Sequence, residues 1–388
     1  MQVAEQEFDY LGALNPAQRL AAEYGERAAG QGFASGPLLV IAGAGTGKTM
    51  TLAHRVAHLV IEGVDPERIL LLTFTRRAAQ EMTRRVENIV RVSARDAVPL
   101  PAGGLPWSGT FHSVANRLLR RFAHNLGLDP GFSVLDRGDA ADMLDVVRHE
   151  RKLTRTSRRF PKKDTCLAIY SRCVNTQQPL STTLEQTFPW CADWADELAE
   201  LFRFYVERKQ QSQSLDYDDL LLYWSHLVAE GEFAAEIGGW FDHVLVDEYQ
   251  DTNIVQAQIL NALKPDGRGV TVVGDDAQSI YSFRAAEVEN ILGFPDQYIP
   301  TAQVVTLEQN YRSTQNILDA ANCLIAESDR QYRKNLFTEQ AGGDKPRYVT
   351  VEDGDAEAEF VVEAILANRE RGMQLMDQAV LFRSAKPR

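Results

Sequence analysis

No run in the 388 residues is apolar for long enough to cross a bilayer as a helix. Met1 to Tyr10 is acidic and has no apolar centre, so it does not read as a signal peptide. Cysteine is scarce, and Cys166, Cys173, Cys191 and Cys323 show no Cys-x-x-Cys spacing. That argues against a zinc or iron–sulfur site and against a disulfide framework, and fits a reducing cytoplasm. There is no short-period repeat and no low-complexity tract. Positive charge is also short: 41 Lys and Arg against 54 Asp and Glu leave a net charge of −13, which taken alone argues against nucleic acid. The distribution argues otherwise. Arg68 to Lys163 holds nineteen basic and nine acidic residues, a local excess of +10, so the remainder carries −23. Such a surface is an electrostatic footprint for a polyanion, although a solvated basic face gives the same count.

What is present is an ordinary globular composition, long enough for two or three domains. The chain is organised around Ala42-Gly43-Ala44-Gly45-Thr46-Gly47-Lys48-Thr49. The apolar run Leu38-Leu39-Val40-Ile41 precedes it, and Leu52, Val56, Leu59 and Val60 follow at helical spacing. Strand, glycine-rich loop and helix form the context of a phosphate-binding P-loop. Its glycines let backbone N–H groups converge on an anion, and the helix adds the positive end of its dipole. Lys48 is expected to reach the β- and γ-phosphates of a nucleoside triphosphate, and Thr49 to offer a hydroxyl to Mg²⁺. Ala42 stands where the strict pattern has Gly.

Further along, Ile69–Phe74 reads as a buried strand and Thr75–Met82 opens a helix that carries Arg84, Arg85 and Arg91. Residues 116–211 read as mainly helical, with a dense basic cluster of Arg148, Arg151, Lys152, Arg155, Arg158, Arg159, Lys162 and Lys163. Leu198, Leu201, Phe202 and Tyr205 are expected to face inward on one helix. Asp216, Asp218 and Asp219 suit the first turn of the next. His243–Val246 is an apolar strand ending in Asp247-Glu248. A P-loop enzyme needs a metal partner and a base: Asp247 is expected to hold Mg²⁺ and Glu248 to polarise the attacking water.

Gln278 follows another strand, Gly269–Val273, at the edge where parallel strands end, within reach of a γ-phosphate. Tyr281, Phe283 and Arg284 come next, a cluster suited to base stacking and phosphate contact, or equally to a turn that buries two aromatics. Arg312 suits an arginine finger offered across a cleft, although taken alone it reads better as an ordinary helix-flanking arginine. Strands are expected near Val304–Leu307, Arg347–Val351 and Ala379–Phe382, and helices near Thr314–Ala326 and Glu357–Asn368.

Together these stretches resemble superfamily 1 DNA helicases of the UvrD/Rep/PcrA type, from Leu14 to the C-terminus. Leu14-Asn15-Pro16-Ala17-Gln18 resembles the Q motif, and Ala42–Thr49 motif I. Thr73-Phe74-Thr75 with Ala78, Ala79, Glu81 and Met82 resembles motif Ia, and Gly109–Ser113 motif Ib. Val246–Asn253 is similar to motif II, Gly274–Tyr281 to motif III, and Leu307–Thr314 to motif IV. The resemblance implies that Gln18 reads adenine, Tyr311 stacks on it and Arg312 meets the γ-phosphate. It implies that Phe74, Thr110, His112, Tyr281, Phe283 and Arg284 line a single-strand track, with 3′ to 5′ movement.

The implied fold is α/β, a RecA-like P-loop NTPase core with a parallel sheet. Residues 1–115 and 212–300 would form the first RecA-like domain, 116–211 an inserted helical subdomain, and 301–388 an incomplete second RecA-like domain. Met50 stands where the family often has Arg, and Phe283 where it often has Trp. Ala379–Ser384 resembles the strand before a second insertion, and motifs V and VI are not present. The expectation is therefore the N-terminal portion of an ATP-dependent DNA helicase or translocase. It is expected to bind ATP, Mg²⁺ and single-stranded DNA or single/double-strand junctions, with no membrane partner, and to hydrolyse ATP poorly. Two alternatives stand beside it: a non-catalytic, nucleotide-gated single-strand-binding module, and the motor of a helicase–nuclease.

Overall fold

A computed structural model describes residues 9–28, 32–93, 100–101, 104–153 and 160–382. Arg155, Arg158 and Arg159 of the basic cluster lie outside these residues, as does the side chain of Arg284. The chain divides into a unit through Ala341 and a second from Gly342.

The first unit is built on a six-stranded sheet. Its strands are β1 (Leu38–Ala42), β2 (Ile69–Thr73), β3 (Trp107–Thr110), β4 (His243–Val246), β5 (Val270–Gly274) and β6 (Gln303–Leu307). The spatial order is β6-β1-β5-β4-β2-β3, and every pairing is parallel. Both faces are covered, which explains the unbroken apolar runs. Leu38 and Val40 point into one core with Leu52, Val56 and Met82. Leu39 and Ile41 point into the other with Phe111, Leu118, Trp224 and Ile259. Each such side chain contributes about 1.5–3 kcal/mol by leaving water.

Parallel pairing gathers all six carboxyl ends at one edge. Leu307 stands level with Ala42, Gly274 with Ile41, Val246 with Val272 and Leu72, and Thr110 with Thr73. Everything that follows these strands in sequence therefore converges in space. The strand at 303–307, expected to open a second domain, is instead the edge partner of β1. An isolated strand leaves its backbone groups unpaired, and the open edge of β1 satisfies them.

Residues 135–206 carry a cluster of their own, in which Leu144, Ile169, Leu198, Leu201 and Tyr205 are fully buried and Phe202 packs at its rim. Its exit is pinned by Lys209, whose ammonium lies 2.7 Å from Asp216 and 2.6 Å from Asp219. Asp216 also caps the helix Tyr217–Ala229 through the amide of Asp219. In the second unit, Asp353 caps the helix Gly354–Glu370. The strands expected at 347–351 and 379–382 do not form, and Tyr348 and Leu381 are more than nine-tenths exposed. A strand needs a paired neighbour, and none of the described residues supplies one. No helix among the described residues is long and apolar enough to cross a membrane.

His243 at the start of β4 is buried, with Nε2 3.2 Å from the Phe33 carbonyl oxygen. Burial, with Arg55 nearby, pushes its pKa down to about 4. The folded chain therefore holds it neutral, whereas the unfolded chain protonates it below about 6.5. Its stabilisation is present above pH 6.5 and is lost as pH falls towards 4, a swing on the order of 2–3 kcal/mol. In urea unfolding at pH 7.5 and 5, His243→Gln is expected to lose less stability on acidification than the wild type. Equal losses would show that His243 is not the group responsible.

Candidate functional site

Four neighbouring strand ends make the site. β1 leads into the glycine-rich loop and the helix Lys48–Ile61. Gly45 and Gly47 have φ of +80° and +86°, which side-chain-bearing residues rarely adopt. A Cβ on Gly45 would also fall 2.7 Å from Asn310 Nδ2 and from Arg312 Cβ. The loop is thus held closely from the β6 side. Asn310 Nδ2 donates to the Ala44 carbonyl at 2.6 Å, and the Tyr311 amide donates to the Gly45 carbonyl at 2.9 Å. Asn310 Oδ1 accepts from the amides of Arg312 and Ser313, which sets the turn carrying Arg312. The Arg312 side chain is exposed beside the loop.

Gln18 approaches from the N-terminal helix Pro16–Glu23 and is fully buried. Its Nε2 donates to the Thr46 carbonyl at 2.9 Å, and its Oε1 accepts from the Asn15 amide at 3.0 Å. The resemblance implied a residue that reads a base; in this structure both polar ends of Gln18 are engaged within the chain. Asn15 Nδ2 in turn donates to the Tyr311 hydroxyl at 3.0 Å. Met50 packs with the small cluster of Leu11, Leu14 and Ala22.

At the end of β4, Asp247 is buried and Glu248 is about one-third exposed. Lys48 Nζ lies 2.8 Å from Glu248 Oε2. Burial, followed by the charge on Glu248, pushes the Asp247 carboxyl up to about 7, with Lys48 opposing. Glu248 sits at φ +50°, a left-handed conformation that costs a non-glycine residue about 1–3 kcal/mol. Its carboxylate accepts from Lys48 and from Gln250 Nε2 at 2.9 Å. Gln250 Oε1 meanwhile accepts from the Asp275 amide at the end of β5. Asp275 Oδ2 accepts from Gln278 Nε2 at 2.6 Å. A continuous hydrogen-bonded path therefore runs from Lys48 through Glu248, Gln250 and Asp275 to Gln278. Thr49 is half-exposed at the second position of the P-loop helix.

Beyond Gln278 the surface turns aromatic. The rings of Phe74 and Tyr281 are 5.2 Å apart, and those of Tyr281 and Phe283 are 5.6 Å apart. Phe283 is 71% exposed and Ile280 70%, so the turn does not bury its aromatics in the core. Past the end of β3, a cavity of about 400 Å³ is lined by Arg76, Gln80, Thr110, His112, Asn116 and Tyr217, among others. His112 meets Tyr217 edge-on at 5.6 Å. Desolvation pushes its pKa down to about 4, so at neutral pH it offers a neutral ring. Thr110 Oγ1 accepts from the Ser113 amide and caps the helix Phe111–Arg121.

Residues 24–299 match the UvrD/REP helicase N-terminal domain, and residues 305–387 match the UvrD-like helicase C-terminal domain. The chain belongs to the UvrD/REP helicase family. Its relatives include proteins described as ATP-dependent DNA helicase PcrA. That of Leuconostoc citreum is 39% identical over 356 residues, covering 90% of this chain and 45% of the relative. Those of Staphylococcus epidermidis and Staphylococcus aureus (strain COL) are 37% and 35% identical over 353 residues, covering 90% of this chain and 46% of each relative. The chain thus spans about half the length of the curated relatives it matches. The two family matches meet between 299 and 305, at the start of β6, whereas the sheet continues through β6.

Within this UvrD/REP fold several residues matter that the sequence did not single out. Asn310 holds the loop, Gln250 bridges two strand ends, and Tyr217 lines the cavity. Asn310 and Gln250 stood inside recognised motifs, but only the strand order shows what they touch. The basic excess also reads differently. Arg117 lies over the Trp107 ring at 3.7 Å, Arg120 over Phe132 at 4.4 Å and Arg121 over Trp240 at 4.3 Å. Arg84 and Arg85 pair with Glu81. Much of the local positive charge is engaged in packing within the chain.

Proposed function

We propose that this chain carries the nucleotide site and single-strand track of an ATP-dependent DNA helicase or translocase. The single observation that carries this is the path Lys48–Glu248–Gln250–Asp275–Gln278, which ends in the turn that carries Tyr281 and the exposed Phe283. The P-loop amides and Lys48 bind the triphosphate, and Tyr311 stacks on the base with Gln18 bracing the loop beneath it. Thr49 and Asp247 suit a divalent cation: a hydroxyl on the P-loop helix and a buried carboxylate whose charged form is disfavoured by burial and by Glu248 beside it. Mg²⁺ bound there would offset charge on the β- and γ-phosphate oxygens.

As the γ-phosphate draws Lys48 away, Glu248 is released to accept a proton from the attacking water. Arg312 stabilises negative charge developing on the transferred group. Gln278 senses whether the γ-phosphate is present and passes that state to Tyr281 and Phe283, which stack on successive bases with Phe74. Neutral His112 and Thr110 contact the strand farther along. Movement is 3′ to 5′ by the family resemblance, and the cysteine usage fits a cytoplasmic setting.

The test is fluorescence titration of the 388-residue chain with a mant-labelled ATP analogue in Mg²⁺, and with fluorescein-labelled oligo-dT. Saturable binding of both is expected. Failure to bind the analogue removes the nucleotide site, and failure to bind oligo-dT removes the track.

A further inference from the structure

One segment touches three of the four strand-end motifs and carries a buried charge, Lys334. Residues 332–337 follow the helix Gln315–Ala326. Leu336 packs against the P-loop, where a Cβ on Gly43 would meet its Cδ2 at 2.6 Å. Phe337 exchanges backbone bonds with Glu308 and Asn310 beyond β6. Between these, Lys334 projects towards the turn after β5. Its Nζ lies 2.8 Å from Asp275 Oδ1 and 2.6 Å from Asp276 Oδ1. All three side chains are 3–4% exposed. Asp276 Oδ2 also accepts from the Tyr332 amide at 3.1 Å.

We propose that Lys334 is a positioning residue for Gln278, acting through Asp275. This rests on the reading of Gln278 as the sensor of the γ-phosphate. Asp275 is the shared element: one carboxylate oxygen meets Lys334, and the other holds Gln278 Nε2. Without the ammonium, two carboxylates adjacent in sequence lie buried against each other, and like charges in a dry site drive the turn apart. Gln278 would then lose its fixed acceptor. The segment also bears on the loop through Leu336, so the ion pairs tie the sensor turn to the wall that holds the phosphates. Lys334 thus sets how faithfully nucleotide state reaches Tyr281 and Phe283, and contributes little to nucleotide affinity itself.

A residue that merely staples the fold would behave differently, and the experiment separates the two. In the 388-residue chain, oligo-dT affinity is measured with and without a non-hydrolysable mant-ATP analogue in Mg²⁺, alongside amide hydrogen exchange. In the wild type the analogue is expected to change oligo-dT affinity by about fivefold or more, the usual size of a coupling between sites. In Lys334→Met that ratio falls towards one and amides 275–279 exchange about tenfold faster, while analogue affinity holds within about twofold. Lys334→Arg, which keeps the charge, restores the ratio.

A Lys334→Met chain that couples like the wild type overturns the proposal. So does one in which analogue affinity and global exchange protection collapse together while Lys334→Arg gives no rescue, since that is the behaviour of a staple. If Lys334→Met fails to fold, Lys334→Met combined with Asp276→Asn removes the ammonium from Asp275 while one buried carboxylate, and so the wild-type net charge of the buried group, remains. A reduced ratio there supports the proposal, and an unchanged ratio overturns it. A wild-type chain that binds neither probe overturns the helicase reading, and this inference falls with it. Wild-type coupling that survives in both variants overturns this inference alone.

Discussion

Lys48→Ala is expected to abolish nucleotide-dependent turnover in the full-length gene product and to weaken binding of ATP to the chain. The ammonium is nearly buried, and its partner is Glu248 Oε2 at 2.8 Å. Placed at the N-terminus of the P-loop helix, it adds a full positive charge to the backbone dipoles proposed to bind the phosphates. Alanine keeps the helix, since it is a strong helix former, but removes that charge. Loss of one preorganised donor of this kind costs roughly 10²–10³ in turnover, and a charged one belongs at the upper end. Phosphate release and mant-ATP titration measure the two effects separately. DNA-stimulated hydrolysis at the wild-type rate would eliminate Lys48 as the phosphate contact.

Glu248→Gln is expected to part the two quantities that Lys48→Ala lowers together. Glutamine fits the same space and still accepts from Gln250 Nε2 through its amide oxygen. What disappears is the carboxylate that holds Lys48 and that is proposed to take the proton from water. Nucleotide affinity should therefore hold or rise, while hydrolysis falls by roughly 10²–10⁴, the usual contribution of a general base. Single-turnover hydrolysis of radiolabelled ATP by the full-length protein measures this. A rate equal to the wild type would give the proton to another group.

The parts of the site that could be read from sequence are those written locally. Lys48 and Thr49 follow their strand at once, and Asp247 and Glu248 end theirs, so pattern and chemistry coincide within a few residues. Gln250, Asn310 and Lys334 escaped because their partners are set by strand order. Nothing around Gln250 shows that β5 lies beside β4 and brings the Asp275 amide to it. The run Gln303–Leu307 looks the same whether it opens a new sheet or edges an old one, so a boundary drawn at 301 split β6 from its partner β1. Residues 347–351 and 379–382 have strand-like sequences, but β structure is a property of pairs. A charge count cannot tell an arginine facing a polyanion from one laid on Trp107 or Trp240.

The central claim is that nucleotide state at the P-loop reaches the aromatic track through Glu248, Gln250, Asp275 and Gln278. The most direct measurement is oligo-dT affinity of the Glu248→Gln chain with and without Mg²⁺-ATP, where bound nucleotide persists uncleaved. The account predicts that ATP changes that affinity by about fivefold or more, and that Gln278→Ala in the same background removes the change. Equal affinity with and without saturating ATP, in a chain shown to bind both ligands, would contradict it.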